Sequence, residues 1–123
     1  CAEGNEYQPM HYPEGVVGYT STHDTDTWVG YFDGLPERQR DCFRYNVGAE
    51  PDDPVEWAII DDVWASDAIM AMTTLQDLLG LGSEARFNEP GTLAGNWEWR
   101  VTREALDDAT ADRLWELAGD HIR

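Results

Sequence analysis

"GVVGYTSTHDTDT", residues 15–27, sets a short apolar run against a polar segment that holds one histidine and two aspartates. Its first half, about Val16 to Thr20, has the β-branched and aromatic content of a short buried strand, so the polar half sits where that strand ends. A second run, "AIMAMT" at residues 68–73, is apolar and short, the signature of a strand covered on both faces. Between the two lies a helix-start signal. Asp53 is placed as N-cap, Pro54 at the first helical position and Glu56 three residues past the cap. Trp57, Ile60, Val63 and Trp64 then recur at helical spacing, which predicts an amphipathic helix over 54–66 with its tryptophans packed in a core. Strand, helix and strand, with both strands read as fully buried, predict two β/α units of a parallel α/β fold.

The rest of the chain fits around that frame. Residues 1–14 are polar and broken by Pro9 and Pro13, which predicts a loop. "LPERQRDCFRYNVG", residues 35–48, has Pro36 in a first-turn position and Gly48 at its end, the pattern of a modest helix. "LQDLLGLG" predicts a short helical turn stopped by Gly80 and Gly82. Residues 83–100 then form a long irregular stretch marked by Pro90, Gly91 and Gly95. A loop of that length, rich in Trp and Arg, is read as a working loop. From about Asp107 to Arg123, Leu114, Leu117, Ala118 and Ile122 at helical spacing predict a final amphipathic helix capped by Asp107 or Thr110.

The 123 residues suit one small domain and fall well short of the roughly 250 of a complete α/β barrel. The opening "CAEGNEYQPM" reads as a cut from something longer. Two strands cannot shield two apolar faces, so the chain is expected either to oligomerise or to be the end of a larger barrel.

Charge narrows the function classes. There are 25 Asp plus Glu against 8 basic residues, all of them Arg, for a net charge of −17. Such a surface repels phosphate backbones, so nucleic acid and anionic membrane surfaces are poor partners. Self-repulsion of this size is tolerable at high salt, where charges are screened over about 3 Å at 1 M, and a halophilic habitat is the expectation. No apolar run approaches the 18 or so residues of a membrane span. Cys1 and Cys42 are too few for a disulfide framework and lack metal-ligand spacing, so a reducing cytoplasm is expected.

By residue type alone, "THDTD" fits a metal site, a catalytic carboxylate with a sugar-gripping histidine, or a polar turn. "HYPEGVVGYTSTHDTDT", "LQDLLGLGSEARFNEPGT" and "GNWEWR" resemble, in order and spacing, the C-terminal region of the 4-alpha-glucanotransferases, the amylomaltase or disproportionating-enzyme family of the alpha-amylase clan. The resemblance runs from about Tyr7 to the final helix. It implies a (β/α)8 TIM barrel of which this segment is the last two β/α units. It also implies transfer of α-1,4-glucan segments to glucan or glucose acceptors by a retaining, covalent mechanism, without a cofactor or metal. Such chemistry needs an Asp nucleophile, a Glu acid/base and a further Asp that stabilises an oxocarbenium-like transition state.

By that resemblance Asp24 inherits the stabiliser role, His23 donates to sugar hydroxyls, and Asn88 is a further sugar-hydroxyl contact. Asp26 is read as loop support. Glu84 and Arg86 are read as a loop-fixing ion pair, and Asn96, Trp97, Trp99 and Arg100 as scaffold. Ser21 and Thr25 stand where the family usually has Gly and Asn, and Trp28 replaces a smaller polar residue. The nucleophile and acid/base have no match here, so the isolated chain is expected to be inactive. Two rivals remain. An H-D-x-D metal site of His23, Asp24 and Asp26 has no further His or Cys at a telling distance, with His11 and His121 read as ordinary histidines. A catalytically silent acidic glucan-binding or interaction module has the aromatic content and short length in its favour.

Overall fold

A computed structural model of the chain describes residues 8–122. The expected loop before Gln8, and Cys1 with it, lie outside the described residues. A 3-10 turn at Pro9–His11 leads into strand β1, Val17–Tyr19. Helices α1, Trp28–Asp33, α2, Glu37–Val47, and α3, Val55–Trp64, separate it from strand β2, Met70–Met72. Helix α4, Leu75–Leu78, follows at once, and α5, Asp108–Asp120, closes the described chain.

The two strands pair in parallel, with Val17 opposite Met70, Gly18 opposite Ala71 and Tyr19 opposite Met72. Helix α3 covers one face of the pair. Ile60 is 0% and Val63 1% exposed, and Val55, Trp57, Ile59, Phe32, Ala68 and Ala85 are buried with them. Gly18 points at this helix: a Cβ there would stand 3.2 Å from Val63 Cγ1 and 3.2 Å from Tyr12 Cε2. A larger residue there would be tight and would require the Val63 or Tyr12 side chain to give by a few tenths of an ångström.

The other face is uncovered, against the expectation of two fully buried strands. Side chains alternate across a strand, so residues flanking Gly18 point away from α3. Val17 is 40%, Tyr19 49%, Met70 53% and Met72 43% exposed. One layer of helix supplies only one cover, so the apolar content of the strands does not translate into two buried faces.

Helix starts differ in instructive ways. Helix α3 is entered through Pro54 as N-cap, without a side-chain cap bond. Asp53 instead accepts from Glu50 N at 2.9 Å, and its carbonyl accepts from Arg44 Nη1 at 2.9 Å, so it serves the preceding turn. Pro36 likewise caps α2 rather than opening it, and Gly48 ends that helix at φ 68°, a left-handed conformation suited to glycine. Asp107 does cap α5, accepting from Thr110 N at 2.8 Å, and that hydrogen bond holds its carboxyl below the ordinary range. Helix α5 rests on α3 through few contacts. Arg113 lies 4.5 Å over the Trp57 ring and His121 Nε2 stands 2.7 Å from Asp61 Oδ1, while Trp115 and Ile122 remain exposed.

Asp62, half-buried on α3, has its carboxyl pushed above the ordinary value by burial first and by the neighbouring Asp61 second. A raised folded-state pKa favours the protonated form, so its contribution is fully present below the unfolded value and is lost as pH rises through the folded one. In the complete protein Asp62→Asn should raise the thermal midpoint at neutral pH, with the gain vanishing at pH below the ordinary carboxylate value. A midpoint unchanged at pH 7 would contradict this account.

Candidate active site at the strand ends

Residues 21–27 leave the C-terminal end of β1 and fold into a compact turn. Thr22 N donates to Thr25 Oγ1 at 2.9 Å, and Thr25 Oγ1 returns to Thr22 O at 3.2 Å. This turn presents His23 and Asp24 side by side, His23 Nε2 standing 3.1 Å from Asp24 Oδ2, with both side chains about half exposed. The other carboxylate oxygen, Asp24 Oδ1, accepts from Asn88 Nδ2 at 2.7 Å. All three sequence-predicted site residues therefore meet, although Asn88 lies 64 positions from Asp24.

The segment after β2 builds the opposite wall. Arg86 Nη2 donates to Asp24 O and Arg86 Nε to Asn88 O, both at 2.9 Å, so one guanidinium fixes the spacing of the two site residues. Glu84 turns back to accept from Gly82 N at 3.0 Å. The expected Glu84–Arg86 ion pair is thus replaced by two separate backbone braces. Asp26 supports the loop as expected, accepting from Ser83 Oγ at 2.7 Å and from Thr27 N at 2.8 Å.

Trp97 backs the histidine. Its ring centroid is 5.4 Å from that of His23, tilted by 38°, and 4.7 Å from Phe87 edge-on. Trp97 holds φ 62°, a left-handed conformation unusual for a bulky residue, and its N–H donates to Phe87 O at 2.8 Å. Asn96 closes the loop beneath it, accepting from Glu89 N and donating to Thr92 Oγ1, each at 2.8 Å. Arg100 Nη1 donates to the carbonyls of Trp97 and Trp99. Within "GNWEWR", Asn96 and Arg100 brace the backbone, and Trp97 packs against His23.

Two features escaped the sequence. Helix α1 begins inside what reads as loop, because Thr27 caps it by accepting from Gly30 N at 3.1 Å. Asp77, on α4, is 0% exposed and accepts from Thr20, Ser21 and Trp28. It lies in the block "LQDLLGLGSEARFNEPGT" that resembles the family, with Gln76, Glu84, Arg86 and Asn88, but nothing in the sequence assigns it a role.

Chemically, the site offers a half-exposed carboxylate held between an imidazole and an amide, all open to solvent. These groups can donate to and accept from hydroxyls and can stabilise positive charge. Among the described residues no group of three or more His, Cys, Asp or Glu stands together to hold a metal ion. Among them, too, no helix is long and apolar enough to cross a membrane.

Polar side chains converge here beyond the carboxyl ends of two parallel strands, the place where α/β folds bind their ligands. The model of the glycoside hydrolase family 77 4-alpha-glucanotransferases matches residues 2–106, and the chain belongs to that family. It is 42% identical over 123 residues to a 4-alpha-glucanotransferase of Synechocystis, covering 97% of this chain and 24% of that protein. It is 37% identical over 115 residues to the 4-alpha-glucanotransferase of Clostridium butyricum, covering 92% of this chain and 23% of that one. Among solved structures, the amylomaltase from Streptococcus agalactiae in complex with acarbose superposes with a TM-score of 0.91 at 27% identity, over 96% of this chain and 24% of that one. The chain thus spans about a quarter of the length of these relatives.

Proposed function

We propose that this chain is the last two β/α units of a (β/α)8 barrel and supplies one wall of a 4-alpha-glucanotransferase active site. The observation that carries the reading is the meeting of His23, Asp24 and Asn88 at the C-terminal ends of two parallel strands, where barrel enzymes place their catalytic side chains. The uncovered strand face bearing Val17, Tyr19, Met70 and Met72 supports a larger sheet around it.

In this reading the complete enzyme moves a segment of an α-1,4-glucan to the 4-position of a glucose or glucan acceptor with retention of configuration. Asp24 faces the positive charge that develops at the sugar ring, and its engagement by Asn88 and His23 fixes where that charge is felt. His23 and Asn88 donate to ring hydroxyls, interactions that strengthen as the ring distorts. The acidic surface suits a cytoplasm of high salt.

The complete protein, given maltotriose in molar KCl, should release glucose and build longer oligosaccharides. Hydrolysis without chain lengthening, or no reaction, would overturn the reading. Full activity and an unchanged melting midpoint in dilute buffer would remove the high-salt part of it alone.

A further inference from the structure

The geometry points to Asp77 as a positioning residue that sets the stance of the His23–Asp24 loop. This inference rests on the role proposed for Asp24. Asp77 Oδ2 accepts from Thr20 Oγ1 at 2.8 Å and from Ser21 Oγ at 2.6 Å, at the point where β1 gives way to the loop. Asp77 Oδ1 accepts from Trp28 N at 2.9 Å, where the same loop enters α1. One carboxylate therefore grips both feet of the segment that carries His23 and Asp24 at its crest.

The grip is built rather than incidental. Asp77 is itself held at the start of α4, its N–H donating to the Thr74 cap at 3.2 Å. Thr73 and Thr74 hydroxyls stand 2.9 and 3.1 Å from those of Thr20 and Ser21, which orients the donors toward the carboxylate. The Trp28 indole donates to Thr20 O and ties the two feet to each other. Asp77 touches neither His23 nor Asp24, and its full burial keeps it from any substrate. Its effect on a reaction must pass through the loop. Charge-assisted bonds of this kind are stronger than neutral ones, and with water excluded they leave the loop little freedom to rock.

A displacement of about 1 Å at a catalytic group is enough to cost about 10²-fold in rate. The position of Asp24 would relax in that way if the feet of its loop were released. The test uses the complete glucanotransferase carrying this segment, with maltotriose as substrate and turnover expressed per folded molecule well below the melting midpoint. Asp77→Asn keeps the side chain's shape and can turn the hydroxyls around to donate through its amide, so the fold should survive.

Its kcat should fall about 10- to 100-fold with a much smaller change in KM. Thr20→Val, which removes one donor and leaves the carboxylate, should shift kcat in the same direction by a smaller factor, and it decides the matter if Asp77→Asn does not fold. A purely structural Asp77 would lower the melting midpoint and leave kcat per folded molecule within about twofold of the parent in both variants; that result overturns the inference. Asp24→Asn, run alongside, separates the two levels. If it is nearly as active as the parent, the role of Asp24 falls and the positioning role with it. If it is inactive while Asp77→Asn and Thr20→Val turn over normally, only the positioning role falls.

Discussion

Asp24→Asn in the complete enzyme is expected to cut transfer between maltotriose molecules by about 10²- to 10³-fold, the loss typical when one preorganised group facing developing charge is neutralised. The replacement keeps size and shape, and the loop does not depend on the lost charge for its fold. Asp24 is about half exposed, its backbone carbonyl is held by Arg86, and the turn around it closes through Thr22 and Thr25. The amide oxygen can still accept from Asn88 Nδ2, so the wall opposite stays in place. What disappears is the negative charge beside the ring at the moment the oxocarbenium character is greatest. The ground-state sugar carries no such charge, so KM should move far less than kcat. Melting and kinetics measured together check both halves. A variant that folds and transfers maltose units near the parental rate would remove Asp24 from the catalytic set.

The parallel pairing of β1 with β2 and the helix between them were legible because apolar content and spacing report directly on which residues need cover. The exposed face was not, since apolar content says that a face needs a partner and not whether the same segment provides it. Val17 and Met70 are apolar and yet stand 40% and 53% exposed. Helix α1 was hidden for a local reason. In "THDTDT" every residue suits a turn, and only the hydrogen bond that the Thr27 hydroxyl accepts from Gly30 N sets it apart from its neighbours. The Asp53 reading erred by one position because Pro54 fits a cap as well as a first turn, and the Asp53 carboxylate found a closer donor in Glu50 N.

The site was legible only in part. His23 and Asp24 announce themselves as a polar pair at a strand end. Nothing in spacing joins them to Asn88, and that link came from resemblance. Asp77 illustrates the limit more sharply. Patterning treats an acid in an apolar run as a surface position on a short helix, whereas here three donors from the neighbouring unit converge on it and make burial tolerable. Such a residue is recognised only when the groups that satisfy it are known, and those lie about 50 positions earlier in the chain.

Purified residues 1–123 alone are expected to give no disproportionation of maltotriose above the enzyme-free background. Retaining transfer requires two carboxyl groups about 5 to 5.5 Å apart across the scissile bond, one as nucleophile and one as acid/base. The nearest acid in sequence to Asp24 in the loop, Asp26, is already tied to Ser83 and the Thr27 N–H. Asp77 is buried and serves three donors of its own. Neither is free to attack a sugar or to protonate a leaving group, and the resemblance assigns both missing roles to earlier strands. Groups that act as a unit lose nearly all of their effect when one is removed, so a lone stabiliser contributes little. The uncovered face adds a second cause. Val17, Tyr19, Met70 and Met72 stand open to water, and a site open to solvent has weaker electrostatic interactions than a closed one. Product analysis after prolonged incubation with maltotriose is the check, and glucose accompanied by maltopentaose at a rate proportional to added chain would show that these residues hold a complete catalytic apparatus.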